Sequence, residues 1–564
     1  MPEANGHGLW VQHRAVVLGA LGVVIYVAWL GMRDFWYPGE PDLVEICRAM
    51  FVSRDWADWV VPRRNGAVFL NYPPMHYWAA SLSSQLLGGM GEFAVRLPGA
   101  LAATGLVVAT GAVAARWIDA RAGLWAGLVL LTSSQFSFQA IGYRPDMLFS
   151  LFVGLGMFSY AQGAGDRPRW ALRVGGFALL GLAVLVKGPL GLALPGLVLA
   201  LWHGARREWR RLLELAPLAL VTVAVVLPWY VAIGKVLGLD AVMAEISWHS
   251  VGRFASGERG HARPPFYYLL NFWVDFAPWA LLFPFALVWI HRTGRWRERH
   301  VQLALWWFGT FFVFLSIAAT KRQAYLMPAY PAVALLLAQW LSALGRDSTA
   351  SDPPDPRPAA IFARGVSLLL LVGAAVAFVV GLVLGQIVAR TELDAPLGEI
   401  LLGLRAPLLV LGAVGPLVWF WIWPLQRGGD VQTALLRLAL VQCGLFLVFV
   451  AWIMPVLNPA NSYATPLRWI GEQIGKETHI GYLGSKRKIG AFAYYTESLV
   501  ELLEDEDEIR RFFQEHPDSL VVAEERYAGA LFDDEGLDWR AHAVREVDAA
   551  RRHYVVLGMR AAEP

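Results

Sequence analysis

The run VSLLLLVGAAVAFVVGLVLG, residues 366–385, contains no ionisable side chain. As an α-helix it would extend about 30 Å, the thickness of a bilayer's hydrocarbon core. Nothing in that layer but the helix itself can satisfy the backbone N–H and C=O groups, so such a run is read as a membrane-spanning helix. Similar runs recur near 13–32, 93–116, 122–141, 147–163, 171–187, 189–203, 212–234, 266–290, 301–319, 324–344, 363–388, 406–424 and 434–456. Together they predict a polytopic α-helical membrane protein with about thirteen transmembrane helices.

Composition points the same way. Of 564 residues, 57% are hydrophobic and only 16% charged, and the mean hydropathy is +0.46. A soluble chain of this length carries far more charge on its surface. The net charge of +3 offers no footprint for nucleic acid. The 26 tryptophans suit a protein with many membrane interfaces. Cys47 and Cys443 stand in dissimilar stretches and read as two unpaired thiols, not as a disulfide or a metal framework. The run Ala15–Gly31 lacks a small-residue cleavage site and is followed by many like it, so it reads as a retained first helix.

Arginine sets the orientation. With the N-terminus in the cytoplasm, the inside loops carry dense clusters such as Ala205-Arg206-Arg207-Glu208-Trp209-Arg210-Arg211 and the segment Arg292–Arg299. The short outside loops carry only Lys187, the pair Lys321/Arg322, and Arg390 with Arg405. Two outside loops are long, 33–92 and 235–265. The first contains amphipathic stretches, Pro41–Val52 and Pro73–Leu87, expected to lie along the membrane surface. Residues 1–456 therefore form the membrane domain. Beyond it, 457–564 read as a small soluble α/β domain on the outer side, with strands at Thr478–Leu483, Ser519–Ala523 and His553–Leu557 and a helix at Glu506–Glu515. The Pro- and Asp-rich segment Asp347–Pro358 is a cytoplasmic linker.

The polar constellations fall on the outer face, which marks it as the working face. They are Tyr37-Pro38-Gly39-Glu40-Pro41-Asp42, Gly142-Tyr143-Arg144-Pro145-Asp146, Lys187-Gly188-Pro189, Trp248-His249-Ser250-Val251-Gly252-Arg253-Phe254, His261-Ala262-Arg263-Pro264-Pro265 and Lys321-Arg322-Gln323-Ala324-Tyr325. Arg144, Lys187, Arg253, Lys321 and Arg322 suit the oxygens of a phosphate. Glu40, Asp42 and Asp146 are carboxylates able to take a proton from an attacking hydroxyl. Phosphate as leaving group with a base for the nucleophile describes sugar transfer from a lipid-linked phosphosugar. Each piece also has a plainer reading. Lys187 sits in a helix-breaking Gly-Pro turn, Glu40 and Asp42 favour a helix N-terminus, Lys321/Arg322 suit an interface anchor, and His261 has no second metal ligand at a recognisable spacing. Their arrival on one face carries the argument.

In this order these residues resemble the GT-C superfamily of polyprenyl-phosphate-sugar-dependent glycosyltransferases, and within it the aminoarabinose transferases that modify lipid A. The likeness rests on Gly39-Glu40 through Arg48-Ala49-Met50, Pro73-Pro74 ahead of Tyr77-Trp78, Asp146, and Lys187-Gly188. It continues in Trp248-His249 with Arg253-Phe254, the segment His261–Tyr268, Lys321 with Tyr325, and the tail Ile480–Ser485. The resemblance implies a GT-C fold in a bacterial inner membrane, with juxtamembrane helices and a periplasmic C-terminal domain. It implies transfer of a monosaccharide from a polyprenyl (undecaprenyl) phosphate donor to a periplasmic lipid or glycan acceptor such as lipid A or lipopolysaccharide. The protein would be a monomer among membrane lipids, with no nucleic-acid partner.

Two departures matter. The family's first outer loop supplies an Asp-Glu pair, the Asp being the presumed catalytic carboxylate, whereas this chain has Gly39-Glu40. Glu40 matches the second member and is favoured as the base, Asp42 is the alternate base, and Asp146 is expected to orient Arg144 or the substrate. Where the aminoarabinose transferases carry Glu-Lys-Pro, this chain has Asn71-Tyr72-Pro73. Tyr72 thus replaces the Lys thought to hold the donor phosphate, and His261 loses the Glu that would share a metal. No cofactor is expected, and a different donor or acceptor is. Two other readings are a protein O-mannosyltransferase-like enzyme and a transporter or flippase for a lipid-linked sugar. The latter would favour inverted repeats and mid-helix charges, which the sequence does not show.

Overall fold

The computed structural model describes residues 13–36, 39–165, 167–240, 262–344, 353–391, 395–428, 430–474, 479–527, 543–549 and 552–558. Each expected apolar run coincides with helix. The first, α1, spans Arg14–Gly22 and continues as a π-turn through Val27. The first outer loop contributes α2, Glu40–Val52, and α3, Met75–Leu86. Next come α4 (Glu92–Trp117), α5 (Ala120–Leu131), α6 (Pro145–Gly163), α7 (Trp170–Lys187), α8 (Leu190–Ala205) and α9 (Leu215–Leu237). Helices α10 (Tyr267–Asp275) and α11 (Phe283–Arg292) form one span broken by a 111° bend. The run ends with α12 (Arg299–Ile317), α13 (Tyr330–Ala343), α14 (Arg357–Arg390), α15 (Ala395–Gly428) and α16 (Val431–Val448). Among the described residues eight helical spans are long and apolar enough to cross a membrane, nine with the bent pair, and three shorter apolar helices accompany them.

Burial sorts these spans. The segment Gln323–Ala343, a 3-10 turn leading into α13, is buried throughout and forms the hub of the bundle. Helices α14 and α15 are only 17% buried and pack chiefly on each other. They turn side chains such as Leu369 and Phe420 outward. A wide exposed apolar face of this kind is a surface made for lipid. The chain is a multi-pass membrane protein.

The C-terminal part folds on α17, Ala464–Ile474, and a five-stranded sheet. Strands β1 (His479–Leu483), β2 (Leu499–Leu503) and β3 (Leu520–Glu524) are mutually parallel in the order β2-β1-β3. Parallel neighbours need crossover connections, and helices α18 (Ile489–Thr496) and α19 (Glu506–Glu515) supply them. Strands β4 (Ala543–Ala549) and β5 (Arg552–Gly558) complete the sheet antiparallel, β5 pairing with β3. The sequence expectation had three of these strands and α19; β2 and β4 are additional.

Helix α2 departs from a simple surface helix. Its residues Leu43, Val44, Ile46, Cys47 and Met50 share one core with Tyr77 of α3 and with Ile489, Phe492 and Tyr495 of α18. The outer loop is therefore roofed by the C-terminal domain, because its apolar side chains exceed what α3 alone can cover. Cys47 and Cys443 are both buried and unpaired with each other.

Candidate active site

Glu40 is the most heavily bonded carboxylate on this face. Its Oε2 accepts from Arg33 Nη1 at 2.6 Å, Arg96 Nη2 at 2.9 Å and the Trp36 amide at 3.0 Å. Its Oε1 accepts from Arg96 Nε at 3.0 Å, the Tyr143 amide at 2.8 Å and Arg33 Nη2 at 3.2 Å. The two guanidiniums overcome the effect of burial and hold the carboxyl well below the usual glutamate range. A carboxylate so fully bonded and held so acidic is a poor acceptor for an alcohol's proton. This bonding makes Glu40 a pin that ties α2 to α4 and to the turn before α6, and it disfavours the expected role of general base.

That pin sets the wall of a cavity of about 510 Å³. Asp42, Arg144, Asp146, Lys321, Arg322, Tyr72 and Tyr325, all singled out in the sequence, line it together. Gly39 opens α2 at φ +110°, and a Cβ there would meet the Arg144 guanidinium at 3.0 Å. Glycine is therefore what lets the helix start pass beneath that arginine. Asp42, in the first turn of α2, has Arg64 Nη1 at 3.6 Å as its cation. Burial raises its pKa, against the lowering pull of Arg64 and the Gly490 amide. Of the candidate carboxylates, Asp42 and Asp146 line the cavity, Asp42 with its cation at 3.6 Å and Asp146 with Lys187 at 2.5 Å.

Asp146 and Lys187 are brought together as an ion pair. Lys187 Nζ lies 2.5 Å from Asp146 Oδ1, both are buried, and the ammonium sits 4.7 Å from the centre of the Tyr325 ring. Asp146 neutralises Lys187, which does not itself line the cavity. Lys321 reaches the cavity but donates to the carbonyls of Arg263 and Ala318. Together with the bridge between Ala262 and Thr320, it straps the end of the second long loop to the start of the tenth span. Arg253 and His261 lie outside the described residues. No group of three or more His, Cys, Asp or Glu among the described residues is placed to hold a metal ion.

Arg64, Gln135 and Gln139 also line the cavity, and the sequence reading passed over them; Arg263, read there as part of its loop motif, lines it too. Arg64 carried a signal, since Arg63-Arg64 is a basic pair in an outside loop. Among the described residues the lining thus holds five cationic side chains, Arg64, Arg144, Arg263, Lys321 and Arg322, against two carboxylates, Asp42 and Asp146. Such an excess suits a phosphate, whose oxygens match the planar donors of arginine.

The chain is similar to several known proteins. A family model for dolichyl-phosphate-mannose-protein mannosyltransferases matches residues 71–231. The undecaprenyl phosphate-alpha-4-amino-4-deoxy-L-arabinose arabinosyl transferase of Enterobacter sp. (strain 638) is 30% identical over 333 residues, 56% of this chain and 57% of the relative. Its counterpart in Edwardsiella ictaluri is 32% identical over 340 residues, 58% of this chain and 59% of the relative. The matched region spans less than three fifths of these relatives' length. Among solved structures, ArnT from Cupriavidus metallidurans bound to undecaprenyl phosphate superposes with a TM-score of 0.78 at 24% identity, covering 98% of this chain and 99% of that one. The archaeal oligosaccharyltransferase AglB from Archaeoglobus fulgidus gives a TM-score of 0.52 at 13% identity, covering 98% and 75%. The expected fold is the observed one, and the resemblance read from the sequence holds along both sequence and structure.

Proposed function

We propose that this chain, which has the GT-C fold, is a membrane glycosyltransferase that moves a monosaccharide from a polyprenyl phosphate carrier to a hydroxyl acceptor. The observation that carries the reading is the composition of the cavity wall: among the described residues, five cations around a space of about 510 Å³ and a carboxylate, Asp42, whose ion-pair partner Arg64 lies 3.6 Å away. The relatives' names, with their undecaprenyl and dolichyl phosphate donors, support the same donor class. The arginine asymmetry supports a periplasmic cavity and C-terminal domain in an inner membrane.

In the proposed step the acceptor hydroxyl attacks the anomeric carbon and its proton passes to Asp42. The bond between that carbon and the phosphate oxygen breaks, and polyprenyl phosphate leaves with the electron pair. Arg64, Arg144, Arg263 and Arg322 offset the charge that grows on the phosphate, and water-poor surroundings strengthen that effect. Because arginines meet this charge, and Asn71-Tyr72 stand where the aminoarabinose transferases carry Glu-Lys, we propose that transfer needs no metal.

The test is transfer of radiolabelled sugar from synthetic polyprenyl phosphate donors by the purified chain, with and without EDTA. Release of polyprenyl phosphate that stops in Asp42→Asn supports the reading. No release with any of a panel of hexose and pentose donors would overturn it. Lipid A and other glycolipids are the first acceptors to try. The match over residues 71–231 gives independent support to a protein acceptor. Label recovered in protein and not in lipid would select it.

A further inference from the structure

Between α2 and α3 the first outer loop forms a two-stranded hairpin, Arg63–Arg64 paired antiparallel with Ala67–Val68. Asn65 and Gly66 make its two-residue turn at φ +51° and +75°, the mirror-image conformation that suits the twist of a hairpin and that Asn-Gly adopts readily. Arg64 stands immediately before this turn. Its guanidinium lies over the Phe69 ring at 4.6 Å and 3.6 Å from Asp42. An arginine side chain is long and rich in rotamers, so the place where its guanidinium acts depends on where the hairpin backbone is held.

The hairpin tip is held from the far end of the chain. Asn65 Nδ2 donates to the Val500 carbonyl at 2.7 Å, and the Val500 amide donates to Asn65 Oδ1 at 2.8 Å, across 435 residues of sequence. Val500 belongs to β2, which among the described residues is an outer strand of the sheet. A carboxamide carries both a donor and an acceptor, so the one side chain satisfies both backbone groups that the strand edge presents at this residue. Serine offers a single oxygen for the task, and aspartate has no N–H. A Cβ on Gly66 would stand 3.7 Å from Leu499 Cδ2, which places the tip directly on the strand. The same domain meets Asp42 through the Gly490 amide. Both members of the Asp42–Arg64 pair are therefore held from the C-terminal domain, by separate contacts.

We propose that Asn65 is a positioning residue for transfer: by clasping Val500 it fixes the hairpin so that the Arg64 guanidinium stays beside Asp42 in the cavity lining. Resting on the transfer function proposed for that cavity, the clasp makes the C-terminal domain part of the transfer machinery.

The test uses the full-length protein in detergent and the variant Asn65→Gly, which suits the turn and removes both bonds. For the polyprenyl phosphate donor, kcat/KM per folded molecule should fall about tenfold, the effect of misplacing a group that meets the substrate. In an Arg64→Gln background the same change should cost nothing further, because residues that act through one another are not additive. A lowered melting temperature with unchanged kcat/KM per folded molecule would overturn the proposal, and so would equal losses with and without Arg64. Asn65→Asp keeps the acceptor for the Val500 amide and loses the donor; it should fall between, and serves if Asn65→Gly does not express. A second measurement needs no turnover. Cys47 and Cys443 are buried, so in Arg64→Cys a water-soluble thiol reagent reports on position 64. Adding Asn65→Gly should raise the labelling rate severalfold. An unchanged rate would show that the clasp does not hold this position. A raised rate with no transfer from any donor, even by the wild type, would leave the clasp and remove the transfer function.

Discussion

Gly490 of α18 presses against Asp42 of α2. A Cβ added to Gly490 would collide with Asp42 Oδ1 and come within 2.7 Å of its Cα. The C-terminal domain thus touches the proposed base directly, and glycine is what permits that approach. Gly490→Ala should therefore push α18 and the start of α2 apart, because the added Cβ meets the backbone of Asp42 as well as its carboxylate. We expect turnover per folded molecule to fall about tenfold or more, with a lowered melting temperature and the acid limb of the pH profile shifted. A large loss of stability with normal turnover per folded molecule would make the contact merely one of packing.

The two acidic residues at the start of α2 should separate by phenotype. Glu40→Gln leaves Arg33 and Arg96 buried without their shared counter-charge, at a cost of about 3–5 kcal/mol. The depressed pKa of Glu40 means this contribution is present above the ordinary glutamate range and is lost as pH falls. Asp42→Asn removes basicity from a partly exposed side chain. It should fold like wild type and lose about a hundredfold or more in transfer. Melting curves beside transfer assays check both, and a stable, inactive Glu40→Gln would restore Glu40 as the base.

These two residues also show where sequence reading stops. The helices were legible because twenty apolar residues in a row have little other use. The division of labour between Glu40 and Asp42 was not, because Arg33 lies on α1's exit and Arg96 on α4, and only folding brings both onto one carboxylate. The break between α10 and α11 was hidden within one apolar run, since hydropathy carries no angle. The pairing of Asp146 with Lys187 joins the ends of two neighbouring spans, and spacing along the chain does not reveal it. Arg64 was legible in principle, as a basic residue on the face where basic residues are scarce.

Breaking the Asp146–Lys187 pair should be costly and its joint removal mild. Asp146→Asn leaves a buried ammonium uncompensated, at about 3–5 kcal/mol. The double variant Asp146→Asn/Lys187→Met replaces the pair by neutral groups and should recover most of the lost melting temperature. Recovery of stability together with transfer within about tenfold of wild type would confirm a structural pair. Recovery of stability without transfer would return one of the two to the chemistry.

Arg64 should contribute to transfer more than its exposure suggests. Arg64→Gln removes a cation from the cavity lining, and a lost contact to a charged phosphate is worth about 1.5–3 kcal/mol, or roughly ten- to a hundredfold in rate. Kinetics at varied donor concentration check this. An unchanged kcat/KM would leave Arg64 as a partner of Asp42 alone.

The pH dependence ties Arg64 to Asp42. A general base works deprotonated, so activity rises with pH through its pKa. Burial lifts the pKa of Asp42 above the ordinary aspartate value of about 3.9, and the acid limb of transfer should therefore fall above that value. Glu40 cannot produce the limb, because its pKa is displaced in the opposite direction. Arg64 favours the charged carboxylate, so Arg64→Gln should move the limb to higher pH, toward neutrality. Asp42→Asn should abolish the limb and leave a flat, low rate. The measurement is kcat/KM for the donor from pH 4 to 9 in wild type and both variants, with folding checked at each end. A limb that stays in place in Arg64→Gln would separate the two residues. A limb that persists in Asp42→Asn would assign proton transfer to another group and remove Asp42 as the base.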